Sequence, residues 1–209
     1  MAPGTHGDAE ATALPRTVVL VGLMGAGKTA IGKRLAARLG LPFVDADVEI
    51  EAAAGCTIEE YFLAHGEAAF RDGERRVIGR LLERPVHILA TGGGAFIDPV
   101  TRALMRGRVI TVWLRAELEV LVGRTARRNN RPLLKQGEPP REVLDRLITL
   151  RYPIYAQADL TVDSEDCPLE EMVDRVLAAV ERHLGRTLAT RVPLPETVED
   201  GAKTMRAKP

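Results

Sequence analysis

Gly22-Leu23-Met24-Gly25-Ala26-Gly27-Lys28-Thr29 sets glycines, a lysine and a threonine between an apolar run and an amphipathic stretch. The pattern G-x-x-x-x-G-K-[ST] therefore lies where a strand is expected to lead into a helix. Glycines let successive backbone N–H groups converge on phosphate oxygens. The helix N-terminus adds partial positive charge at the same point. Lys28 is expected to reach the outer phosphates, and Thr29 to offer its hydroxyl to Mg2+. The motif specifies a nucleoside triphosphate site and leaves the reaction open.

Two carboxylates follow in Phe43-Val44-Asp45-Ala46-Asp47, at the C-terminal end of a short strand, where open α/β sheets bind ligands. A turn between them would let Asp45 hold Mg2+ through water. Asp47 would then accept a proton from, or orient, an acceptor hydroxyl. The alternative makes Asp45 a turn residue and Asp47 a helix cap. A further strand runs into Thr91-Gly92-Gly93-Gly94. Three successive glycines cost backbone entropy, so the run suggests close approach of a ligand rather than a plain turn. Arg71 and Arg151, each read alone, suit a solvated surface. Arg124, Arg127, Arg128 and Arg131 crowd one segment and suggest local anion binding, because the guanidinium fork meets carboxylates and phosphates in two parallel bonds. His65, His87, Cys56 and Cys167 share no metal or nucleophile spacing and read as structural.

Strand signals over residues 17–21, 42–45, 86–90, 109–114 and 160–162 must position these groups. Helical patterns separate them: 28–39 closed by Gly40, a capping box at Thr57–Glu60 opening a helix, a charged helix from about 67 to 83, and a final helix carrying Leu169, Met172, Val173, Val176, Leu177 and Val180. This alternation predicts a parallel sheet covered on both faces. Residues 1–16 read as a disordered extension, 17–185 as one domain with a closing lid near 124–140, and 186–209 as a flexible tail.

The 209 residues suffice for one α/β domain. With 29 basic and 29 acidic residues the net charge is zero, which argues against a general nucleic-acid binder, as does a 4% aromatic share. No run approaches the roughly 20 apolar residues of a membrane span. Two cysteines make no disulfide framework, so a reducing cytoplasm fits.

In order and separation, GLMGAGKT, DAD, FRDGE, TGGG, RPLL and RYPIY resemble the shikimate kinases over residues 17–184. The resemblance implies a three-layer α/β/α P-loop kinase fold of the nucleoside monophosphate kinase type, with a five-stranded parallel sheet flanked by helices. It implies a cytoplasmic, monomeric enzyme that transfers the γ-phosphoryl group of ATP to the 3-hydroxyl of shikimate, in the chorismate pathway to aromatic amino acids. By the same resemblance, Gly25, Ala26, Gly27, Lys28, Thr29 and Ala30 hold ATP, with Arg124 near adenine and Arg131 reaching the phosphates. Thr29 and Asp45 serve Mg2+. Asp47 is the expected base, Arg71 and Arg151 clamp the shikimate carboxylate, and Gly92, Gly93 and Gly94 line its pocket. Gly73 stands where the family often has a larger residue, and is expected to interrupt the helix and loosen packing behind Arg71. Rival readings are a gluconate kinase of the same fold, a nucleoside monophosphate kinase and a non-catalytic ATP-binding regulator. A GTP switch would need an N-K-x-D motif, which is not found.

Overall fold

A computed structural model of the chain describes residues 13–126 and 138–191. Its centre is β1 (Val18–Val21), a β-branched run with every residue fully buried. Such a strand is stable only with both faces covered. Around it stand β2 (Phe43–Asp45), β3 (Ile88–Ala90), β4 (Ile110–Arg115) and β5 (Leu160–Asp163) in the order β2-β3-β1-β4-β5. All pairings are parallel. Strands begin or end within about two residues of the sequence boundaries; His87, expected inside a strand, stands just before β3.

The helices are α1 (Lys28–Leu39), α2 (Ala46–Ala54), α3 (Ile58–Leu81), α4 (Pro99–Met105), α5 (Leu118–Ala126), α6 (Pro140–Tyr155) and α7 (Leu169–Leu184). The crossover from β1 to β2 runs opposite to the later ones, so right-handed connections place helices on both faces. Accordingly α1 packs against α7, while α3 packs against α4. Four helices, α2, α4, α5 and α6, go beyond the sequence patterns. In α6 the signal is masked by Pro153, which sits in the last turn of the helix. None of the described helices is long and apolar enough to cross a membrane.

Two expectations need correction. Helix α3 runs through Gly73 without interruption; its break is at Gly66 (φ 77°, ψ 174°), which separates the capping-box turn from the longer half carrying Arg71. Nor does the core stop at residues 17 and 185. Leu14 and Leu188 are buried with the rest, and the Arg191 backbone N–H donates to the Arg38 carbonyl at 2.6 Å. Helix α6 begins at Pro140, where the expected lid segment ends. Arg127, Arg128 and Arg131, with most of the expected lid, lie outside the described residues.

A methyl group on Gly73 would meet only the Tyr61 hydroxyl, at 4.0 Å. Gly73→Ala is therefore expected to stabilise the fold by about 0.5–1 kcal/mol through reduced backbone entropy of the unfolded chain. Urea unfolding measures this; a loss of stability would show that the glycine relieves crowding.

Candidate active site

The loop after β1 turns back on itself before α1. Gly22 adopts φ 134°, and a Cβ there would stand 2.7 Å from the Leu114 carbonyl oxygen of β4, so only glycine fits. Gly25 and Gly27 also take positive φ, and Gly27 forms the left-handed cap of α1. Lys28 folds over this loop and donates from Nζ to the carbonyls of Gly22 at 2.8 Å and Leu23 at 2.9 Å. Thr29 Oγ1 donates to Asp45 Oδ2 at 2.9 Å, which ties the start of α1 to the end of β2.

Asp45 has a second task. Its Oδ1 accepts the Asp47 backbone N–H at 3.1 Å and caps α2. The alternative sequence reading gave a cap to Asp47; the structure gives it to Asp45 and leaves Asp47 in the first turn of α2. Asp47 Oδ1 lies against Gly92, 2.6 Å from where a Cβ would stand. Gly94 is just as constrained, because a Cβ there would overlap the Arg71 guanidinium. Between them, the Gly93 carbonyl accepts from Arg151 Nη1 at 3.1 Å. Gly93 also abuts the phosphate loop, its Cβ position being 3.6 Å from the Gly22 oxygen and the Met24 nitrogen. The three-glycine turn is thus the meeting point of one carboxylate from α2, one arginine from α3 and one from α6, set directly beside the glycine-rich loop.

Arg124, at the end of α5, occupies the other side of that loop. It donates to Ser164 Oγ at 2.9 Å, to the Gly25 carbonyl at 3.4 Å and to the Glu165 carbonyl. Ser164 in turn donates to the Ala26 carbonyl at 3.0 Å. Arg124 therefore fastens the loop to the residues that follow β5.

Glu74 went unremarked in the sequence. It is 2% exposed and accepts from Arg71 Nη1 at 2.7 Å. Burial raises its pKa; Arg71 opposes that rise, and the nearby charges of Asp47 and Asp98 add to it. Its only sequence signal was the i+3 spacing from Arg71, one helical turn on. Tyr155 and Ser164 were likewise given no role. Of the histidines, buried His87 places Nδ1 2.8 Å from the Pro85 carbonyl, and His65 packs on Tyr61.

A family model described as shikimate kinase matches residues 24–181. A shikimate kinase of Paramagnetospirillum magneticum is 59% identical over 169 residues, covering 81% of this chain and 86% of that one. The chain belongs to the shikimate kinase family. A solved shikimate kinase from Acinetobacter baumannii, in complex with shikimate, superposes with a TM-score of 0.75 at 38% identity, over 81% of this chain and 93% of that one. A gluconokinase from Sinorhizobium meliloti has a TM-score of 0.58 at 23% identity, over 81% of this chain and 94% of that one, which is a likeness of fold alone. The chain thus has the P-loop kinase architecture the resemblance implied.

The Arg71–Glu74 pair has a pH signature. Because burial holds Glu74 above its ordinary value of 4.5, the folded state binds that proton more tightly than the unfolded chain. Its contribution to stability is full below the unfolded value and falls as pH rises through the folded one. Arg71 offsets the loss by pairing with the ionised form. Arg71→Met is therefore expected to destabilise the fold by about 1–3 kcal/mol at pH 7, and less as pH approaches 4.5. Urea unfolding at the two pH values checks this; equal losses would mean that the pairing is not what Arg71 supplies.

Proposed function

We propose that this chain transfers the γ-phosphoryl group of ATP to the 3-hydroxyl of shikimate through the residues gathered at the Gly92–Gly94 turn. The observation that carries the reading is the convergence of Asp47, Arg71 and Arg151 on that turn, next to the phosphate loop. Shikimate offers one carboxylate and several hydroxyls, and the turn offers two guanidinium groups and one carboxylate. The loop backbone of Gly25, Ala26 and Gly27, the start of α1 at Lys28, Thr29 and Ala30, and the flanking Arg124 face the ATP. Arg131, outside the described residues, is assigned to the phosphates on the resemblance alone.

Asp47 takes the proton as the shikimate oxygen forms its bond to the γ-phosphorus. The bond from that phosphorus to the β–γ bridging oxygen breaks, and ADP leaves. Lys28 and the loop N–H groups stabilise the charge that spreads over the phosphoryl oxygens. Arg71 and Arg151 hold the carboxylate, and so fix which hydroxyl meets Asp47. The Thr29 hydroxyl and the Asp45 carboxylate, 2.9 Å apart, are hard oxygen donors that suit Mg2+ shared with phosphates and water. Mg2+ bound there would neutralise charge on the β- and γ-phosphates. Cys56 and Cys167 are both free, which suits a cytoplasmic setting.

A coupled ADP-release assay with ATP and Mg2+ distinguishes the acceptors. Shikimate should drive release, while gluconate and nucleoside monophosphates should not; release with gluconate alone would reassign the substrate. Asp47→Asn should lower kcat by roughly 10²–10⁴ with a smaller effect on the KM for ATP, and an unchanged kcat would remove Asp47 as the base. Arg151→Ala should weaken acceptor binding by roughly 2–5 kcal/mol, read as a raised KM for shikimate.

A further inference from the structure

We propose that Tyr155 is a positioning residue for acceptor binding, its buried hydroxyl holding the Gly93 carbonyl so that Arg151 can turn toward the acceptor's carboxylate. The inference rests on the reading of Arg151 as a carboxylate ligand. Arg151 and Tyr155 lie four residues apart in α6 and so share one helix face. Both reach the same oxygen, since the Tyr155 hydroxyl donates to the Gly93 carbonyl alongside Arg151 Nη1. A carbonyl has two lone pairs and accepts both.

The two donors differ in freedom. Tyr155 is 0% exposed, with its ring stacked on Trp113 and Phe96 at centroid distances of 6.0 and 6.4 Å. Burial pushes its pKa up to about 12, so at working pH the hydroxyl keeps the proton it donates. Arg151 is only half-buried, and its guanidinium has five donors to redirect. The residue they share is also the one that touches the phosphate loop. With Tyr155 in place, the Gly93 carbonyl stays bonded when Arg151 engages the incoming anion. Without the hydroxyl the carbonyl depends on Arg151, and each acceptor molecule must displace that bond before it is gripped.

Tyr155→Phe keeps the ring and removes the hydroxyl. In the full chain, the KM for shikimate is expected to rise about tenfold, equivalent to about 1.4 kcal/mol, with the KM for ATP unchanged and kcat within about threefold. Shikimate should also raise the Tm of the variant less than that of the parent, while ADP raises both equally. A tyrosine that only packs would lower the Tm of the unliganded protein and leave both ligand-induced shifts intact, so this readout serves even for a weakened fold. In an Arg151→Ala background, the same substitution should change the shikimate KM by less than about twofold. An unaltered shikimate KM and Tm shift in Tyr155→Phe overturns the proposal, as does a full tenfold effect in the Arg151→Ala background. Arg151→Ala with a normal shikimate KM overturns the underlying reading instead, and the proposal falls with it; the single variants tell the two failures apart.

Discussion

The chain leaves β1 toward one face of the sheet and β3 toward the other, and the site depends on that divergence. Because β1 and β3 are neighbours, their C-terminal ends lie side by side, but the loops that follow them separate. The crevice between the loops is where an open parallel sheet binds ligands. Here one wall is the glycine-rich loop and the other is the three-glycine turn. Gly22 must be glycine to clear β4, whereas a side chain at Gly92 or Gly94 would displace the Asp47 carboxylate or the Arg71 guanidinium from the turn. The small residues thus answer to side chains and strands that press on the backbone from behind as well as to ligands.

Charge balance in the acceptor half follows from the same crowding. Asp47, Glu74, Arg71 and Arg151 come from three helices but surround one short turn. Two carboxylates so close would repel each other if both were left to solvent-poor surroundings. Arg71 relieves this by pairing with the buried member, Glu74. The exposed faces of the two arginines then leave the site able to accept an anion, even though the whole chain is neutral. Arg75 reinforces the arrangement by pairing with Asp98, the cap of α4, at 2.6 Å.

Much of this was legible in the sequence, for identifiable reasons. The phosphate loop is written in contiguous residues whose chemistry depends on backbone geometry, so position and role can be read together. Asp45 was legible because it ends a strand, whereas Asp47 stands in the first turn of α2, where only its spacing from Asp45 marked it out. Glu74 and Tyr155 were not, because their importance comes from contacts across the tertiary fold: Glu74 is an unremarkable acid on a charged helix until α3 packs down, and Tyr155 belonged to a family motif without an assigned partner. Gly73 misled for the opposite reason. Its composition signalled a break, but the surrounding helix supplies enough packing to override a local preference, whereas Gly66 takes a backbone conformation that ends the turn.

The two hydrogen bonds from Lys28 to its own loop have a thermodynamic consequence. With the lysine bridging two carbonyls, and Arg124 and Ser164 securing the other flank, the shape of the loop is fixed by contacts within the protein. On the proposed reading, phosphates that engage Lys28 would exchange neutral acceptors for ionic ones at a single ammonium without ordering a slack segment, so little configurational entropy would be lost on that side of the crevice.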